Sequence, residues 1–204
     1  DDERQVTAAE LRARLSRITA GPRDTSVVYG DDVLGALEKP PIPAAVLVPI
    51  VLSEPPAIVL TKRTSHLKKH AGQVSFPGGR IDPGDAHPEA AALREAEEEI
   101  GLSPSQVEII GRMAEYVTGT GYRITPVLGL LPPGLAHLPS PHEVEAVFDF
   151  PLSVLLDPAA PRRQRQHVRG QWREYWVWPH PDHFIWGATA AILVHLAQKL
   201  RNEG

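Results

Sequence analysis

Residues 78–102 read GGRIDPGDAHPEAAALREAEEEIGL, and the fold turns on how this stretch divides. Gly78, Gly79 and the run Asp82-Pro83-Gly84-Asp85 are turn formers, so the first half is a loop. From Pro88 to Ile100 the composition changes to alanine, leucine and glutamate, which favour helix. Proline suits a first helical position and Gly101 the residue just past the end. At about 3.6 residues per turn, Leu93, Ala96 and Ile100 share one face, and Glu95, Glu98 and Glu99 lie on the other. An acidic face is often merely solvated. Three carboxylates this close repel one another, however, and a divalent cation among them would relieve that repulsion. Hard oxygen donors suit Mg2+ or Mn2+, which normally bridge to substrate phosphates.

The residues before the helix favour the metal reading. With Phe76-Pro77-Gly78-Gly79 in front of it, the stretch resembles the Nudix box, G-x5-E-x7-R-E-U-x-E-E-x-G-U with U aliphatic. Gly79, Arg94, Glu95, Glu98, Glu99, Gly101 and Leu102 fall on that pattern, with Ala96 at the small aliphatic site. One departure stands out. Gly79 and Arg94 are fifteen positions apart where the pattern has fourteen, and Asp85 replaces the loop glutamate.

Upstream, Leu60 to Gly79 reads LTKRTSHLKKHAGQVSFPGG. This resembles the signature of the coenzyme A pyrophosphatase branch of the Nudix family, with Leu60, Thr61, Arg63, Gly72, Phe76, Pro77, Gly78 and Gly79 matching. Thr64 stands where that signature has Ser or Ala, and Lys68 where it has Arg, which keeps the charge and loses the bidentate fork. Arg63, Lys68, Lys69 and His70 form a cationic segment, which suits the other side of a bound diphosphate. Two further stretches resemble the same branch: Val117 to Pro126, and the Ile185-Trp186-Gly187-Ala188-Thr189-Ala190 opening of the last helix. Trp186 and Gly187 also fit a purely structural helix start with an aromatic anchor.

The composition sets outer limits. The 204 residues suffice for one well-buried core, so we expect a single domain over 1–204 with residues 1–40 as a helix and loop extension. A net charge of -4 gives no overall nucleic-acid footprint. There is no cysteine, hence no disulfide framework, thiolate metal site or thiol nucleophile. No apolar run approaches the roughly 18 residues of a membrane span. The charged DDERQ start lacks the apolar core of a signal peptide, so a cytoplasmic protein is expected. The nine histidines show no zinc-ligand spacing.

Elsewhere the pattern predicts a capped helix from Thr7 to Ile18 and a short helix near 32–37. Strands are expected at 44–52, 57–62, 107–117, 124–131, 144–150 and 175–178. A short helix should begin at Leu152, a basic polar connection should run from Arg162 to Arg173, and a last helix should span 185–201. Helices around a mixed sheet make an α/β/α sandwich, the Nudix-like arrangement that the resemblance also implies.

The resemblance implies divalent-metal-dependent cleavage of the diphosphate linkage of coenzyme A or a derivative, giving 3',5'-ADP and (acyl-)phosphopantetheine. It places the metal on Glu95, Glu98, Glu99 and the Gly78 carbonyl, with Arg94 as an orienter of the acids. Substrate contacts would come from Arg63, Lys68, Phe76, Arg80 and Tyr122. Glu143 is the candidate to complete the site or act as base, with Glu145 second and Asp85 a further loop acid. The arginines of the 162–173 run are candidates for reading a 3'-phosphate. Two alternatives stay open: a pyrophosphatase for ADP-ribose or another nucleoside diphosphate derivative, and a catalytically silent ligand sensor of the same fold. The partner is a small nucleotide-derived molecule, with no nucleic acid or membrane, and nothing in the sequence decides between monomer and homodimer.

Overall fold

The computed structural model describes residues 5–65 and 72–202. Helix α1 (Ala8–Thr19) starts at Thr7, whose hydroxyl accepts from the Glu10 amide, and buries Leu11 and Leu15. Strands β1 (Val27–Tyr29), β2 (Ile42–Val51), β3 (Ala57–Arg63), β4 (Val74–Ser75) and β5 (Gly78–Arg80) lead to helix α2 (Pro88–Ile100). Next come β6 (Glu108–Arg112), β7 (Glu115–Val117), β8 (Tyr122–Leu131), β9 (Val144–Pro151) and α3 (Leu152–Leu156). The chain closes with β10 (Arg162–Val168), β11 (Gln171–Trp178), β12 (Ile185–Trp186) and α4 (Gly187–Asn202).

The main sheet is nine-stranded and mixed, and β2 is its axis. That strand runs parallel to β8 from Ile42–Tyr122 to Val51–Leu131 and antiparallel to β3 and β5. Because side chains alternate along a strand, β2 serves two cores. Ala45 and Leu47 join Val59, Val127 and Leu131 under Ala91, Ala92, Ala96 and Ile100 of α2. Val48 and Ile50 face the other way, with Ile58, Leu60, Leu128 and Phe150, against α1, α3 and α4. The result is an α/β/α sandwich. It sets α2 on one face, with the remaining helices on the other. Among the described residues no helix is long and apolar enough to cross a membrane.

Four expectations need correction. Residues 32–37 form turns instead of a helix. The 107–117 strand is two strands, since the pairing of β6 with β8 is irregular between Ile109 and Gly111 and Met113 opens a break. Residues 162–173 are not a connection: they make β10 and the start of β11, paired from Arg162–Val177 to Val168–Gln171. The turn between them is Arg169-Gly170, with φ of 51° and 78°, the left-handed pair that a two-residue hairpin needs. Finally, α4 starts at Gly187, because Ile185 and Trp186 pair with Trp178 and Val177 as β12.

Candidate functional site

The site is built where α2 meets the loop before it. His87 caps the helix by accepting the Ala90 amide at 3.1 Å, Pro88 opens it, and Gly101 closes it with φ of 69°. Upstream, β5 lies against the start of β2 so closely that a Cβ on Gly78 would come within 2.4 Å of the Ala45 carbonyl oxygen. Only glycine allows that approach. A Cβ on Gly79 would similarly sit 2.9 Å from the Glu95 carboxyl carbon. Bare backbone is thereby presented directly to the helix acids.

The three helix glutamates do not form the uniform polar face that the helical wheel predicts. Glu98 is exposed, Glu95 is half-buried, and Glu99 is only 4% exposed. The expected buried Leu93 is in turn only half-buried. Glu99 accepts a long 3.4 Å hydrogen bond from the Gly78 amide. Burial, then the charge of Glu95, pushes its pKa up to about 8, against the opposing pull of the Gly78 N–H and Arg63. Glu95 is raised too, by burial first, with Glu98 and Glu143 adding repulsion that Arg94 partly offsets.

Arg94 is the local organiser. Its Nε and Nη2 donate to the two Asp85 carboxylate oxygens at 3.1 and 3.0 Å, and its Nη1 donates to Glu95 at 3.0 Å. Nη2 also donates to the Arg80 carbonyl at 3.3 Å, and Glu98 lies 3.7 Å away. The pairing lowers the Asp85 pKa and raises that of Arg94. Asp85 therefore turns toward the guanidinium, and it also accepts the Asp82 amide at 2.8 Å, which closes the loop.

Other candidates come from distant segments. Arg63 ends β3 on the α2 side of the sheet, where its charge acts on Glu99; its Nε is buried and finds no hydrogen-bond partner among the described residues. The loop before β9 is tied down on both sides: Ser140 N–H donates to the Glu99 carbonyl at 2.8 Å, and Thr64 N–H to the Glu143 carbonyl at 3.1 Å. These bonds bring the Glu143 charge to bear on both Glu95 and Glu99. Glu145 instead pairs with Lys62 at 3.2 Å. Phe76 is buried within the larger core, so its ring packs inside the fold and does not line a cleft. Arg80 is exposed, and Tyr122 is half-buried at the start of β8. Lys68, Lys69 and His70 lie outside the described residues.

Among the described residues no three acidic or histidine side chains are gathered as a ready-made metal site. The donor chemistry nevertheless fits a hard divalent cation: a buried, weakly bonded Glu99 carboxylate, Glu95 beside it, Glu98 at the mouth and the β5 backbone opposite.

An α/β/α sandwich with an acidic helix against a glycine-rich strand defines the class, and likeness to known proteins gives the family. The family model for the NUDIX domain matches residues 41–182. The Escherichia coli (strain K12) protein called "Uncharacterized Nudix hydrolase NudL" is 46% identical over 157 residues, covering 77% of this chain and 82% of that protein. The protein of the same name in Shigella boydii serotype 4 matches equally well. The chain belongs to the Nudix hydrolase family. Among solved structures, a MutT/nudix family protein from Enterococcus faecalis superposes with a TM-score of 0.51 at 17% identity, covering 98% of this chain and 70% of that one, a likeness of fold.

Proposed function

We propose that this chain is a divalent-metal-dependent hydrolase that cleaves the diphosphate linkage of coenzyme A or a coenzyme A derivative, releasing 3',5'-ADP and (acyl-)phosphopantetheine. The observation that carries this reading is the opposition of Arg63 to Glu99. An arginine whose Nε finds no hydrogen-bond partner among the described residues acts on a buried carboxylate, so cation and acids flank a space suited to a diphosphate. The stretch from Leu60 to Gly79, which resembles the signature of the coenzyme A pyrophosphatase branch, supports coenzyme A over other anhydride substrates.

Glu95, Glu98, Glu99 and the Gly78 carbonyl would hold Mg2+ or Mn2+. Bound there, the metal would neutralise diphosphate charge and lower the pKa of water at the site. Arg94, anchored by Asp85, holds Glu95 in place and keeps the loop closed over the helix. Glu143, whose charge bears on Glu95 and Glu99, would accept a proton from attacking water. Arg63 would grip the phosphate.

The test is a panel of coenzyme A, ADP-ribose, NADH and dinucleoside polyphosphates with Mg2+ and with Mn2+. A specificity constant highest for coenzyme A is expected, with no turnover in chelator. Preference for ADP-ribose would move the chain to another substrate class. Binding without turnover of any compound would make it a sensor.

A further inference from the structure

The outer face of the β10–β11–β12 sheet is not used by the site described above. Strand alternation puts Arg162, Gln164 and Gln166 of β10 on one face with Arg173, Tyr175 and Val177 of β11 and Trp186 of β12. Trp186 is no buried anchor. It is 37% exposed, with its indole 6.1 Å from the 51% exposed Phe184 ring, near parallel at 28°, and Tyr175 edge-on at 5.6 Å. Gln164 donates to the Tyr175 hydroxyl at 3.1 Å, which donates onward to Gln166 at 3.3 Å. Beyond them lies Arg173, whose Nε is buried without a hydrogen-bond partner among the described residues. On the opposite face the arginines are committed: Arg163 to Asp31 at 2.9 and 3.0 Å and to the Trp176 ring, Arg165 to the Trp172 ring and Glu174.

From this arrangement we infer that the outer face of the hairpin is a nucleoside-phosphate shelf: Trp186 and Phe184 stack the purine, and Arg173 binds the 3'-phosphate monoester of the same nucleoside. The inference rests on the anhydride-hydrolase reading and names the part of the substrate that reading leaves unplaced. Three properties favour this occupant. Flat aromatic surface left in water is matched by a base with its own π face. Arg162 and Arg173 both lie on this face, in a run from 162 to 173 that contains no acid, in a chain of net charge -4. A guanidinium can bond two phosphate oxygens at once.

The shelf also adjoins the catalytic end of β3. Three residues after Trp186, the Thr189 hydroxyl donates to the Val74 carbonyl at 3.0 Å, and Val74 pairs with Lys62, the neighbour of Arg63. Self-pairing of two β10 edges would set arginine against arginine, so a second copy does not suit this edge.

Titration calorimetry on the full chain in chelator tests the shelf without turnover, using adenosine 3',5'-bisphosphate and 5'-AMP as probes. Trp186→Ala should weaken both about tenfold, and Trp186→Phe should restore binding to within about threefold of the parent. Arg173→Ala should weaken the bisphosphate about tenfold and 5'-AMP less than threefold, since stacking survives. In turnover, Trp186→Ala should act mainly through KM. Unchanged binding in both alanine variants overturns the shelf, as does failure of Trp186→Phe to restore what Trp186→Ala loses. So does an oligo(dA) strand that outcompetes the bisphosphate through the same residues, which marks a platform for single strands. If coenzyme A is not hydrolysed and the bisphosphate binds as described, the reaction assignment fails and the shelf stands. If coenzyme A is hydrolysed and neither binding nor KM responds to these variants, the reaction stands and the shelf is overturned.

Discussion

At the scale of single residues, Glu99 carries the most information. Its pKa, raised to about 8 from an ordinary 4.5, means that the folded metal-free protein holds a proton the unfolded chain releases. The stabilising contribution of that proton is complete below about pH 4.5 and is lost as pH climbs through 8. In chelator the melting temperature should therefore rise when pH is lowered from about 8.5 to about 6, and Glu99→Gln should flatten that slope while melting higher at the alkaline end. A steeper slope in the variant would contradict this role of Glu99. Catalysis should respond in the opposite sense: Glu98→Gln and Glu99→Gln should each cut turnover at least about 100-fold with the fold intact by circular dichroism. Near-parental rates in both would dismiss the helix as the metal-holding element. The sequence spacing places Glu99 beside Glu95 and Glu98 on one helix face but cannot reveal that it is buried. That burial comes from β5, whose glycines let a second chain segment close over the helix. Arg94 and Asp85 show the same limit, since their pairing spans a loop with one residue more than the Nudix pattern.

Elements divide into those whose ends are written in local chemistry and those decided by partners. Helix α2 runs from Pro88 to Ile100, the bounds that its proline and glycine signal in the sequence. Gly101→Ala should cost about 1–2 kcal/mol, because the left-handed cap disfavours a Cβ and that atom would lie 2.8 Å from Leu138 Cβ. Gly84→Ala is the control: a Cβ there meets nothing within 4 Å. Thermal melts should separate the two variants by several degrees, and equal melting points would contradict the cap argument. The β10–β11 hairpin is the opposite case. Arg162 to Val168 has no apolar alternation and no strong strand former before Val168, so period-2 reading finds nothing there. What makes it a strand is its ladder with β11 and the cation–π contacts of Arg163 and Arg165 with Trp176 and Trp172. Arg169 holds a φ of 51° at the turn, so Arg169→Gly should stabilise the hairpin by roughly 0.5–1 kcal/mol. A lower melting temperature would argue against the turn geometry.

Over the whole molecule, the sandwich converts distant sequence positions into one site. Glu95 and Glu99 come from α2, Arg63 from the end of β3, Gly78 from β5, and Glu143 from the loop before β9. The strand pattern and the box are enough to read the layers and the acidic helix. The choice between Glu143 and Glu145 is not legible in the sequence, because two carboxylates two residues apart differ only in what folds against them. Thr64 and Ser140 turn the loop so that Glu143 meets the acids, and Lys62 takes Glu145. If Arg63 holds the diphosphate, Arg63→Ala should raise KM for coenzyme A by about 10- to 100-fold, the loss of a charged hydrogen bond of roughly 1.5–3 kcal/mol. Unchanged kinetic constants would leave Arg63 outside the substrate site. The most direct test of coenzyme A hydrolysis at this site is mass analysis of the products from coenzyme A and Mg2+ in 18O-labelled water. The expected products are 3',5'-ADP and phosphopantetheine, with one 18O atom in a single one of the two, and intact coenzyme A in chelator. Release of inorganic phosphate from the 3' position, or an uncleaved diphosphate in the presence of metal, would contradict that assignment.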